Sequence, residues 1–254
     1  MDNLFLIISG GPGTYNPEDE AHDQSWSNYV DPPLLRSRVV AQMPTGDIRW
    51  LVYEPAYQAR WADDYKNQKR QAQAAAAAAI QSRGSMNYLE HLQKKAKEKN
   101  WTYVGVSSNE DIIKYINNLE KTNEKILRTW YYGHARNDLW LSLTHDSQNQ
   151  AVIPGSSAIL TVSDISRLNR SCFVQQDKPD APHKFFGCNT YEFALAWTKH
   201  LKVYAEGCVG KVDFGSISKT GGYVTLVDRA EWHRVSPPKG LRALIKKGKD
   251  SKVE

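Results

Sequence analysis

The run Leu4-Phe-Leu-Ile-Ile-Ser9 is apolar at every position but its last, and it is closed by Gly10-Gly-Pro-Gly13. A strand that is apolar on both faces must be covered on both sides. Such a strand belongs at the centre of a parallel sheet, feeding a loop at its carboxyl end. Further strands are predicted at 48–53, 101–106, 126–132, 184–187, 203–210 and 223–227. Helical segments separate most of them. Asp31 as a cap and Pro32-Pro33 in the first turn open a helix over 31–43. Ser108-Asn-Glu-Asp111 reads as a capping box ahead of a helix over 112–119, and a helix over 191–201 follows the fifth strand. Strands alternating with helices predict an α/β fold, a three-layer αβα sandwich with a mostly parallel central sheet, and the last part of the chain reads as an antiparallel edge. A hairpin is expected from 139–143 and 158–162, ahead of a short helix capped by Ser163-Asp164.

Two stretches stand outside this rhythm. Residues 57–100 are helical in character, with an alanine run at 74–79 and a break expected at Gly84. No heptad persists, so the segment is a surface helix or hairpin inserted into the domain. The end, 239–254, is basic through Lys239, Arg242, Lys246, Lys247, Lys249 and Lys252. No aromatic residues interleave with these charges as stacking partners, so a solvated tail is expected and nucleic acid is not expected as a partner. Residues 1–238 then make one domain, which a chain of 254 residues accommodates.

The three cysteines, Cys172, Cys188 and Cys208, have no metal-ligand spacing and leave one unpaired in any disulfide scheme. Reduced thiols are expected, with no zinc site and no cofactor. Gly10-Gly-Pro-Gly13 lacks the Gly-Lys-Ser/Thr ending of a phosphate loop, which argues against nucleotide binding. The acidic start and short apolar run are not a signal peptide, and no stretch approaches the ~20 apolar residues needed to span a bilayer. A cytoplasmic protein is expected, with any export by a route independent of a signal peptide.

The chemistry-bearing residues close two aromatic-rich strands: Trp130-Tyr-Tyr-Gly-His134-Ala and Lys184-Phe-Phe-Gly-Cys188-Asn-Thr. Carboxyl ends of strands in an open α/β sheet share one edge, where ligands and catalytic groups collect. Backbone N–H groups at the start of the following helix, near 190–193, favour a thiolate and offer donors to an oxyanion. Cys188 is therefore the candidate nucleophile and His134 its acid/base partner. The alternative is a buried cysteine acting as a small hydrophobe and a histidine that only marks a strand end. Cys172 and Cys208 lack this setting and are expected to be structural. Beside the thiol, Asn189 is a candidate substrate contact. In the loop after the first strand, His22 and Asp23 are the side chains most able to meet a substrate charge, unless that loop is only a surface segment pinned by Trp26 and Tyr29.

A strand ending in histidine, followed by a strand ending in cysteine with a helix behind it, resembles the caspase-like cysteine peptidases (clan CD, with caspases, gingipains, separase and bacterial relatives). Phe185-Phe-Gly-Cys-Asn-Thr190 is similar to the cysteine segment of bacterial members. The resemblance covers 4–215 as architecture and only a few residues as motif. It implies an acyl-enzyme on Cys188, acid/base work by His134, and oxyanion donation from the backbone around Gly133, Ala135 and Gly187. The expected partner is a peptide or protein substrate, with an inhibitor or immunity protein as a further candidate. The family carries glycine directly after the histidine, whereas Ala135 follows here and Gly133 precedes. That departure keeps open an inactive, caspase-like binding module. A secreted toxin or effector acting on protein or peptidoglycan is a third reading.

Overall fold

The computed structural model of the protein describes residues 3–12, 25–36, 47–66, 87–136, 139–142, 158–175 and 182–238. In chain order these form β1 (Asn3–Ser9), α1 (Asp31–Arg36), β2 (Asp47–Tyr53), α2 (Glu54–Lys66), α3 (Tyr88–Glu98), β3 (Thr102–Val106), α4 (Asn109–Thr122) and β4 (Lys125–Tyr132). Next come β5 (His134–Arg136), β6 (Leu139–Ser142), β7 (Ile159–Thr161), two 3₁₀ turns, β8 (His183–Phe186) and α5 (Tyr191–Leu201). The described chain ends with β9 (Ala205–Val209), β10 (Val212–Asp213), α6 (Ile217–Thr220), β11 (Thr225–Leu226) and β12 (Glu231–Val235).

Seven strands form one sheet in the order β12-β9-β8-β4-β1-β2-β3. All neighbours are parallel except β12, which runs antiparallel to β9. The fold is therefore α/β, with a mostly parallel mixed sheet and helices on both faces. β1 shows why. Leu4, Leu6 and Ile8 point into one apolar layer with Ile112, Ile116, Phe193 and Trp197 of α4 and α5. Phe5 and Ile7 point into the other, with Leu34 of α1, Tyr57 of α2 and Tyr88 and Leu92 of α3. The pleat alternates faces at each residue, so a continuous apolar run serves two cores at once. Each large side chain buried in this way contributes roughly 1.5–3 kcal/mol.

The strand order reverses at β1. The chain lays β2 and β3 on one side of it, then crosses back to lay β4, β8 and β9 on the other. The described ends of the 57–100 segment form the β2-to-β3 crossover. They are joined by Asp64, which accepts from Arg60 Nε at 2.8 Å and from the Tyr88 hydroxyl at 2.7 Å. The alanine run and Gly84 lie outside the described residues, as do residues 37–43 of the expected first helix and the basic tail.

Two local expectations need correction. The last part of the chain does form an antiparallel edge, β12 at 231–235 beside β9, but the strand expected at 223–227 is only the short β11, which pairs with β10 in a separate small sheet. Gly221 and Gly222, both with positive φ, turn the chain just before β11. At α4 the helix starts at Asn109, with Ser108 accepting from Asp111 N–H, but the Asp111 carboxylate accepts from the Ser107 N–H. The reciprocal box forms instead at Asn87 and Glu90, opening α3.

His183, at the amino end of β8, is fully buried beside Phe173 and Trp197. Among the described residues neither ring nitrogen has a hydrogen-bond partner. Burial, with Arg128 nearby, lowers its pKa from 6.5 to about 3. Above pH 6.5 both folded and unfolded forms hold it neutral. Between 6.5 and 3 the unfolded chain takes up a proton that the native state refuses, so stability falls as pH falls, by about 1.4 kcal/mol per pH unit from this group. Urea unfolding from pH 7 to 4.5 should show this slope, and His183→Leu should flatten it by about one proton; equal slopes would clear His183 of the effect.

Candidate functional site

Three loops meet where β1 and β4 lie side by side and the strand order reverses, the position where open α/β sheets place their ligands. The first begins at Gly10, whose N–H donates to Tyr132 C=O at 2.8 Å and whose C=O accepts from the Tyr57 hydroxyl at 2.8 Å. The second is Gly133-His134-Ala135 after β4, and the third is Gly187-Cys188-Asn189 after β8. β4 and β8 are parallel neighbours, with Tyr132 beside Phe186. Gly133 N–H donates to Phe186 C=O at 3.3 Å and extends that pairing by one step.

Small residues let the second and third loops touch. A Cβ on Gly187 would lie 2.7 Å from Gly133 C=O and 3.0 Å from the Ala135 methyl. A Cβ on Gly133 would overlap the Tyr131 hydroxyl, which folds over that residue to donate to His134 C=O at 2.7 Å. Glycine is thus needed at 133 and 187 for close approach; neither is among the residues with positive φ. Ala135 lies in β5, whose pairing with β6 sets His134 opposite Ser142. His134 and Cys188, both half-buried, therefore stand on either side of one tight backbone contact.

The His134 ring has a partner that sequence reasoning assigned another task. The hydroxyl of Tyr29, in the turn before α1, lies 2.7 Å from Nε2 and 3.2 Å from Nδ1. Tyr29 is buried, and its hydroxyl reaches the candidate base. Nothing in Asn28-Tyr-Val-Asp31 marks it for this role; only the return of the chain to the β1–β4 crevice brings it there.

The loop carrying Cys188 is shaped by its two successors. Asn189 adopts left-handed backbone with φ +54°, which asparagine tolerates better than most residues. Its N–H donates to Gly210 C=O at 2.8 Å, and its Oδ1 accepts from Gly210 N–H at 3.1 Å. Those atoms of the expected substrate contact thus tie the loop to the end of β9. The Thr190 hydroxyl is buried, 2.8 Å from Phe185 C=O and 3.2 Å from Gly187 C=O, and it accepts from Cys208 N–H at 3.0 Å. α5 begins at the next residue, so the positive end of an 11-residue helix lies just beyond the thiol.

The other two thiols are poor nucleophiles. Cys172 and Cys208 are buried, and burial raises both pKa values, that of Cys208 to about 11, with Cys188 nearby as a lesser cause. None of the three cysteines is in a disulfide, and no group of residues able to hold a metal ion occurs among the described residues. No helix among them is long and apolar enough to cross a membrane. His22 and Asp23 lie outside the described residues, as do Asp177 and Asp180 between the two strands. Asp164, also between them, accepts from Thr161 N–H and Oγ1 and so serves the turn after β7.

Comparison of the chain with protein-family models, with characterised proteins and with solved structures gives no match.

Thr190 is the test of the loop. Thr190→Val keeps the shape but leaves Cys208 N–H without its acceptor, and should cost about 1–3 kcal/mol in denaturant unfolding. Thr190→Ser should recover most of the loss. A neutral Thr190→Val would show that the hydroxyl does not organise the loop.

Proposed function

We propose that this chain is a cysteine peptidase, or a related amide hydrolase, of caspase-like design, with Cys188 as nucleophile and His134 as acid and base. One observation carries the reading: the loops holding these residues leave adjacent parallel strands beside the strand-order reversal and are pressed together through Gly133, Ala135 and Gly187. The histidine-before-cysteine order also agrees with the resemblance.

The chemistry follows from the two groups. Cys188 Sγ attacks the carbonyl carbon of a peptide bond and forms a C–S bond. His134 takes the thiol proton and passes it to the departing amine as the C–N bond breaks. A water then attacks the thioester, His134 takes a proton from it, and that proton returns to Sγ as the acid product leaves. The carbonyl oxygen needs N–H donors at the tetrahedral stage, and the start of α5, at Tyr191, offers them close to Cys188 in the chain.

One observation favours the second reading, a caspase-like module that binds a peptide without cutting it. The Gly133 N–H, in the backbone region that the resemblance assigns to the oxyanion, is engaged with Phe186 C=O.

A panel of peptidyl acyloxymethyl ketones, read by mass spectrometry on the full chain, separates the two. The peptidase should form one adduct, on Cys188, that persists in Cys172→Ala and vanishes in Cys188→Ala and His134→Ala. No adduct, with Cys188 still open to iodoacetamide, would make the chain a binding module.

A further inference from the structure

A histidine that accepts and returns a proton must hold one orientation through both transfers. Its backbone is held by the Tyr131 hydroxyl on its carbonyl. Its ring meets the Tyr29 hydroxyl, with the short approach at Nε2 and the longer one at Nδ1.

Tyr29 is fixed more firmly than a surface tyrosine. It is 1% exposed. Its carbonyl accepts from the Ser9 hydroxyl at 2.8 Å, and Ser9 in turn accepts from Trp50 Nε1 at 2.9 Å. These atoms are buried at the carboxyl end of β1 and in the middle of β2. Phe214 packs edge-on against the Tyr29 ring at 4.8 Å, and the His134 ring meets it at 4.9 Å and 70°. Further out, Trp26 of the same turn stacks on Tyr88 of α3 at 4.1 Å. The phenol is thus anchored at its backbone and along its ring, and its oxygen is presented to the imidazole with little freedom to move. Such preorganisation is what a supporting group needs to act on a proton-transfer residue.

We propose that Tyr29 is the positioning residue of the Cys188/His134 pair: its hydroxyl, within hydrogen-bond distance of both ring nitrogens and closer to Nε2, holds the ring in place for its exchange with the Cys188 thiol. The assignment rests on the reading of His134 as the acid/base group. It places a hydroxyl beside the imidazole, so its influence on His134 runs through ring orientation and not through a full countercharge.

The test is the rate of Cys188 alkylation by iodoacetamide from pH 5 to 9, followed by mass spectrometry on the full-length protein, for wild type, Tyr29→Phe and His134→Ala. Tyr29→Phe keeps the ring and its contact with Phe214. It should lower the rate at pH 6.5 by about tenfold and move the profile towards that of His134→Ala. A role in packing alone would leave the profile in place. A Tyr29→Phe profile that overlays wild type, while His134→Ala departs from it, overturns the positioning role and leaves the pair standing. A His134→Ala profile that overlays wild type overturns the pair, and the role of Tyr29 with it. If Tyr29→Phe does not fold, 4-fluorophenylalanine at position 29 keeps the size of the para group without the hydroxyl. It should move the profile towards that of His134→Ala, and an unmoved profile overturns the assignment.

Discussion

Everything in this molecule is arranged around a strand that has no solvent side. Leu4, Leu6 and Ile8 supply one core and Phe5 and Ile7 the other, so β1 can lie only in the middle of the sheet with helices above and below. Because its two neighbours are β2 and β4, the chain must change direction there. The crevice at its carboxyl end follows from that placement. Residues on the loops after β1, β4 and β8 arrive in one place because the parallel pairing has already aligned the strand ends.

Glycine then decides how closely those ends approach. At Gly133 and Gly187 the backbone runs within contact distance of the Tyr131 hydroxyl, of Gly133 C=O and of Ala135, where a side chain would force the loops apart. The departure at Ala135 reads differently in this light. In the sequence it is a missing glycine after the histidine. In the structure Ala135 belongs to the extended β5, and the glycine before the histidine makes the room.

Much of the frame was legible because it is written in short-range patterns. The apolar runs at 4–9, 48–53 and 126–132 and the helix at 191–201 coincide with β1, β2, β4 and α5 to within a residue. The hairpin over 139–143 and 158–162 is present as β6 and β7, and the three-residue β5 that seats His134 beside it was too short to register. The residues of the edge strand are not legible, because Glu231-Trp-His-Arg-Val235 carries two charges and owes its place to pairing with β9. The contact of Tyr29 with His134, 105 residues apart, follows no local rule. The dual use of the Thr190 hydroxyl is likewise invisible until β8, α5 and β9 are packed. Local propensity and periodicity specify elements; the site depends on what the topology returns to one point.

The Thr190 hydroxyl has a wider consequence. It grips the loop of Cys188 from one side and the backbone of β9 from the other, and β9 is held in turn by the outermost strand, β12. The thiol is thereby geared to the rim of the sheet. Fraying of that rim would be transmitted inward through the Thr190 hydroxyl and the Asn189–Gly210 bonds, so wear at the periphery of the molecule and loss of alignment in the Cys188 loop would come together.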